Sequence, residues 1–202
     1  MKKTFKTIED LENALMVPVT PEEQKEREEK APEIRIKEWL EEFEKDPNVT
    51  KNPDGTYDFD YDVDISLKNL KKFPVKFNVV KGDFYCPNTQ LTTLEGAPKE
   101  VKMHFVCSHN QLISLKGDSE KVGGYFDCRY NKLTSLEGAP IKVKGSFDCS
   151  WNKLTSLEGG APKEVGGDFW CYGNPVKFDE EDVRTVSNVK GKIEYEKNIQ
   201  NN

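Results

Sequence analysis

The sequence predicts a solenoid of parallel β-strands, and three observations carry the prediction. Five cysteines, Cys86, Cys107, Cys128, Cys149 and Cys171, recur at spacings of 21, 21, 21 and 22 residues. An aromatic precedes each by two positions (Phe84, Phe105, Phe126, Phe147, Phe169), and a valine precedes each aromatic by four (Val80, Val101, Val122, Val143, Val165). Leucines follow in two further columns, Leu91, Leu112, Leu133, Leu154 and Leu94, Leu115, Leu136, Leu157. A fixed period near 20 residues means that each repeat lays one coil on the one before it. No disulfide or catalytic framework is spaced this way.

The first 50 residues read as a helical cap. Ile8, Leu11 and Leu15 share one face, and Thr20-Pro21-Glu22-Glu23 combines an N-cap, a first-turn proline and a capping-box glutamate. Ile36, Trp39, Leu40 and Phe43 follow the i, i+3, i+4, i+7 pattern and are expected to cover the exposed end of the first coil. Residues 51–75 form a degenerate capping coil. Asn52-Pro53-Asp54-Gly55 is a turn, and Tyr57 to Ile65 alternates strictly, as one half-buried strand. Shifted by 21 residues, Val63 falls on Phe84 and Ile65 on Cys86.

Residues 76–176 are the repeats proper. Phe-x-Cys on a short strand sends both side chains to the inner face. Asn110, Asn131, Asn152 and Asn174, with Thr89 in the first repeat, stand where a buried turn leaves backbone groups without a ladder partner. Gly96-Ala97-Pro98, Gly138-Ala139-Pro140 and Gly159 to Pro162 are too short for helix and read as extended, polyproline-like returns. The single 22-residue spacing comes from one added glycine in Gly159-Gly160. Residues 177–202 hold the C-terminal cap and tail: Asp179 to Arg184 starts a short helix, and Val189 to Tyr195 repeats the spacing of Val122 to Cys128. Seven strand positions at ~4.8 Å make a stack of roughly 30 Å.

Phe147 to Leu157, with its asparagine at Asn152, resembles a unit of the leucine-rich repeat family in its short, helix-free form. The lead coil Asp62 to Ser66, the Leu-Thr-Ser-Leu-Glu-Gly coils and the ending Gly173 to Phe178 are similar to leucine-rich repeat proteins encoded by large tailed phages. The match spans residues 57–195. The resemblance implies a leucine-rich repeat solenoid whose strand face is concave, and a habit of binding proteins. A ligase of the bacterial-effector type would need a further catalytic domain after Tyr195, for which this sequence has no room.

Charge and composition narrow the function classes. Residues 1–64 hold 10 Lys or Arg against 19 Asp or Glu, whereas residues 65–202 hold 20 against 17. A mild +3 on the solenoid is not a nucleic-acid footprint. No apolar run nears the ~18 residues of a membrane span, and the N-terminus lacks an apolar signal core, so a cytoplasmic protein is expected, in a host cytoplasm if phage-encoded. The cysteines are expected to be buried structural thiols, with no metal. Asp58, Asp60, Asp62 and Asp64 lack the glycine and distal glutamate of a calcium loop and read as charge protecting a sheet edge. Gly123-Gly124 and Gly166-Gly167 are placed at strand starts, for close packing of coils. No catalytic set, cofactor site or phosphate-cradling motif is present, so no enzyme is expected.

The residues that the repeat leaves free are the candidate site. They lie beside the inward Phe and Cys: Tyr85, Val106, Asp127, Asp148 and Trp170 between them, His104 and Tyr125 just before, Arg129 and Tyr172 just after, and His109, Tyr130 and Trp151 two after. Large outward aromatics are what an interface core looks like. The expectation is a non-enzymatic module that binds a protein partner, such as a host defence protein, with no nucleic acid and no membrane. Two alternatives are sequestration of a nucleotide or other small molecule on Tyr125, Tyr130, Trp151 and Trp170, and a structural or assembly role.

Overall fold

The computed structural model describes residues 41, 43–66, 70–117 and 119–195. These form a parallel β-solenoid with two sheets. Strands β3 (Val63–Asp64), β5 (Phe84–Tyr85), β7 (Phe105–Val106), β9 (Phe126–Asp127), β11 (Phe147–Asp148), β13 (Phe169–Trp170) and β15 (Ile193–Glu194) make the expected seven-stranded sheet. A second, eight-stranded sheet runs beside it. Its strands are β1 (Val49–Lys51), β2 (Thr56–Phe59), β4 (Lys76–Val80), β6 (Glu100–Val101), β8 (Lys121–Val122), β10 (Lys142–Val143), β12 (Glu164–Val165) and β14 (Asn188–Val189). The returns, expected to be extended and polyproline-like, end in paired strands at the valine column.

The register repeats the sequence period. Phe105 pairs with Phe126, Phe126 with Phe147, and Phe147 with Phe169. The inner phenylalanines form a continuous ring column with centroids 5.1, 5.1, 5.5 and 5.1 Å apart from Phe84 to Phe169. The Leu, Val and Cys columns fill the rest of the core. Burial of this uninterrupted apolar interior is the main stabilising term.

The turns explain the glycines. Ala97 donates to the Leu94 carbonyl at 2.9 Å, and Ala139 to that of Leu136 at 2.9 Å, with Gly96 at φ 84° and Gly138 at φ 91° between them. A positive φ at the third position is what a type II turn requires. In the longer coil Ala161 reaches the Leu157 carbonyl at 3.4 Å, so the added glycine lengthens this turn and leaves the strand register intact. Gly123 and Gly166 stand at the corner between the two sheets, not at strand starts as expected. A Cβ there would come within 1.9 Å of the Lys102 carbonyl oxygen and 2.1 Å of that of Lys144.

Both caps follow the expected columns, with two differences. Tyr57 to Ile65 is two strands, since the chain turns a corner at Asp60–Asp62 between β2 and β3. The alternation passes through the bend unbroken because inward and outward positions keep their phase. The aspartates are thus not one carboxylate row. Asp58 accepts from Asn52, Asn78 and the Val79 amide, Asp60 pairs with Lys81, and Asp62 accepts the Asp83 amide. The other difference is β1, which pairs antiparallel with β2 around the Asn52–Gly55 turn and closes that end of the eight-stranded sheet. Phe43 packs edge-on against Tyr57 and Phe59, at 5.3 and 5.4 Å, as expected of the cap stripe. Residues 1–40 and 42 of the predicted helical cap lie outside the described residues, whereas its last two, Val49 and Thr50, are strand and not helix, because they pair with β2. At the other end, helix α1 (Glu180–Val186) begins at Asp179 with a capping box and buries Val183. Val189 and Ile193 then pair with Val165 and Phe169.

Candidate functional site

The solenoid has two side-chain ladders that serve the backbone, and these determine which residues remain free. The asparagine column forms the first. Asn131 donates to the Cys107 and Cys128 carbonyls at 3.1 and 3.0 Å and accepts the Leu112 amide at 3.0 Å. Asn110, Asn152 and Asn174 make corresponding bonds, and Thr89 ends the series with its hydroxyl on the Cys86 carbonyl. A buried turn is thereby satisfied from both sides.

The second ladder occupies the position just before each inner aromatic. Asp62 accepts the amide of Asp83, Asp83 that of His104, His104 Nδ1 that of Tyr125, Ser146 that of Asp168, and Asp168 that of Lys192. His104, a candidate site residue, is therefore half-buried and bonded to the next coil, with its ring proton on Nε2. Tyr125 breaks this ladder, since a phenol has no acceptor close to its backbone. Its hydroxyl donates instead to Asp148 Oδ2 at 3.1 Å, and its ring meets Trp170 edge-on at 5.7 Å.

Asp127 and Asp148, expected to be outward and open, are only 2 % and 1 % exposed. They point away from the phenylalanine core but lie under their neighbours. Arg129 covers both, with Nε 3.3 Å from Asp127 Oδ2 and Nη1 3.7 Å from Asp148 Oδ2. Asp127 Oδ1 accepts the Arg129 amide at 3.1 Å, and Asp148 Oδ1 the Ser150 amide at 2.9 Å. Burial pushes the Asp127 carboxyl up to about 6, against the opposing pull of Arg129. Burial, with the two carboxylates beside it, also pushes the Tyr125 hydroxyl far up, so it stays a donor.

The aromatic column two residues after each cysteine is the site's most unusual feature. His109, Tyr130 and Trp151 have φ of 55°, 54° and 56°. The left-handed region is sparsely used by non-glycine residues and is a real outlier for bulky ones. Asn88 and Gly173, the same column's first and last members, are residue types that tolerate it. The three rings nevertheless stack, at 4.5 Å between His109 and Tyr130 and 5.7 Å between Tyr130 and Trp151, the latter pair 2° from parallel. Tyr172 closes the stack edge-on at 6.1 Å. Tyr130 and Trp151 stay 44 % and 46 % exposed. The indole lies over Gly173, where a Cβ would stand 2.6 Å from its carbons.

Of the remaining candidates, Tyr85, Val106, Trp170 and Tyr172 are half-buried on the same face. Tyr85 donates to Asp83, and burial pushes its hydroxyl up to about 12. The structure thus brings Tyr125, Asp127, Arg129, Asp148 and Trp170 into one cluster, beside the stack of His109, Tyr130, Trp151 and Tyr172. Ser150, on the strand face in the Arg129 column, is not outward and free but fully buried, with a hydroxyl that meets no partner. A recess of about 200 Å³ lies elsewhere, against Glu44, Val49, Lys51 and Tyr57.

The five cysteines are buried and free, and burial holds their thiols well above the ordinary range. Among the described residues no cluster of His, Cys, Asp and Glu is arranged to hold a metal, and no helix is long and apolar enough to cross a membrane. Compared with family models, curated proteins and solved structures, the chain has no match.

Proposed function

We propose that the chain is a non-enzymatic protein-binding module of the leucine-rich repeat type, which takes its partner on the seven-stranded face. The observation that carries the reading is the His109–Tyr130–Trp151 column. A left-handed backbone costs about 1–3 kcal/mol per bulky residue, and such strain collects where function demands it. Here it holds large, exposed rings in a rigid row, the kind of anchor that dominates protein interfaces. The leucine-rich repeat resemblance and its phage-type coils support a host-cell protein as the partner, met in the cytoplasm.

The stack spacing weighs against nucleotide sequestration. Slipping a base between two rings needs about 7 Å, two stacking distances. The rings stand 4.5 and 5.7 Å apart.

The test is affinity capture from bacterial lysate, with a Tyr125→Ala, Trp151→Ser, Trp170→Ser variant as control. The reading expects a partner captured by the wild type and lost by the variant while its circular dichroism is unchanged. A partner kept by the variant, or turnover of a substrate by the chain, overturns it.

A further inference from the structure

The strand face carries a charge that the whole solenoid does not. Over its outward columns, from Asp62 at one cap to Glu194 at the other, it holds seven carboxylates against two cations, Arg129 and Lys192, a net of −5. Residues 62–202 as a whole hold 20 Lys or Arg against 19 Asp or Glu, a net of +1. The imbalance is sharpest at the centre, where two buried carboxylates share one guanidinium. Tyr125, Ser108 and two backbone amides also bond Asp127 and Asp148, and only Arg129 brings positive charge. A buried carboxylate pair with one cation is electrostatically incomplete.

Two further observations point to a ligand at this place. Ser150 stands next to Arg129 in the same outward column, is fully buried, and its hydroxyl has no partner. Tyr125 forgoes the backbone ladder that its column otherwise maintains, and bridges Asp148 to Trp170. Tyr125, Trp170 and Tyr172 adjoin the cluster. A planar guanidinium matches a carboxylate pair and packs well beside aromatic rings, so an arginine suits this place above all.

Resting on the protein-binding reading, we infer that the partner presents a basic segment, with an arginine or lysine side chain seated over Asp127 and Asp148 and its flanks on the aromatic column. The second cation completes the charge of the pair, and the acidic cap end of the face steers the basic segment toward it. Arg129 competes for the same carboxylates, so it sets the affinity of the seat.

The probe is hexa-arginine, titrated calorimetrically into the full chain at about 0.15 M salt, with hexa-glutamate as its opposite. The inference expects hexa-arginine alone to bind. Asp127→Asn, which keeps an acceptor for the Arg129 amide, weakens it about tenfold. Arg129→Gln strengthens it, a sign that a merely structural role would not produce. A Glu95→Gln, Glu137→Gln, Glu158→Gln variant removes three charges away from the face and leaves binding within about twofold. Should Asp127→Asn fail to fold, Asp64→Asn with Glu194→Gln, both exposed, takes its place and also weakens binding. Equal weakening by the remote triple variant, no weakening in a folded face variant, or no binding of hexa-arginine overturns the inference. Competition separates this failure from that of the parent reading. A captured partner that the aromatic variant loses but hexa-arginine does not displace rules out the basic segment and leaves the binding face standing. A partner that the aromatic variant keeps overturns both.

Discussion

Replacing Asn131 by alanine tests the physical account of the turns, and its cost can be worked bond by bond. Asn131 makes three strong contacts, to the Leu112 amide and to the Cys107 and Cys128 carbonyls. Neither carbonyl is orphaned, because Asn110 also donates to Cys107 at 3.1 Å and Asn152 to Cys128 at 3.0 Å. Only the Leu112 N–H, in a fully buried residue, loses its acceptor. An unmet buried amide costs about 1–3 kcal/mol, and each half-satisfied carbonyl about 0.5–1 kcal/mol. The expected loss is therefore about 3 kcal/mol, read from urea unfolding followed by circular dichroism. The same bonds predict coupling. In Asn131→Ala with Asn152→Ala the Cys128 carbonyl keeps no side-chain donor, so the double variant loses at least about 1 kcal/mol beyond the sum of the singles. Additive losses, or a single loss under about 1 kcal/mol, would refute the shared-donor argument.

Three further outcomes follow from the packing and the charges. Gly123→Ala forces the Lys102 carbonyl away and is expected to cost about 3 kcal/mol, whereas Gly159→Ala, with open space around it, costs only about 1 kcal/mol of backbone strain; thermal unfolding of the two variants checks the difference. Because the folded state holds Asp127 near 6, above its unfolded value, that group's contribution is full below about pH 4 and is lost as pH rises through 6. The urea midpoint of the wild type should then fall relative to that of Asp127→Asn between about pH 4.5 and 7, and parallel profiles would contradict the burial. The cysteines should resist an aromatic disulfide reagent at about pH 8 and release five equivalents only after unfolding, since all five are buried; prompt reaction of any native thiol would contradict the packing.

Much of this was legible in the sequence, for identifiable reasons. The Cys, Phe, Val and Leu columns survive any detail of the coil, and Asn110 to Asn174 could only be turn bonders. Most of the eight-stranded sheet was not legible, because five of its strands, such as Glu100–Val101, have two residues and no alternation to read. The corner at Asp60–Asp62 hid inside an alternation that it does not disturb. Burial of Asp127 and Asp148 depends on where Arg129 and Tyr125 fold back, which no spacing encodes. The left-handed column did leave a signal: Asn88 and Gly173, at its two ends, are residues suited to positive φ, and they mark the same conformation for the aromatics between them.

The most direct measurement compares stability and partner affinity in one variant, Tyr130→Asn with Trp151→Asn, which puts the residue of Asn88 at both positions. Relief of backbone strain and loss of stacking are each about 1–2 kcal/mol and oppose one another. The account predicts stability within about 1 kcal/mol of wild type and affinity for the captured partner at least about tenfold lower. Unchanged affinity would show that the strained rings are not the binding anchors. A loss above about 2 kcal/mol would show that they serve the fold instead.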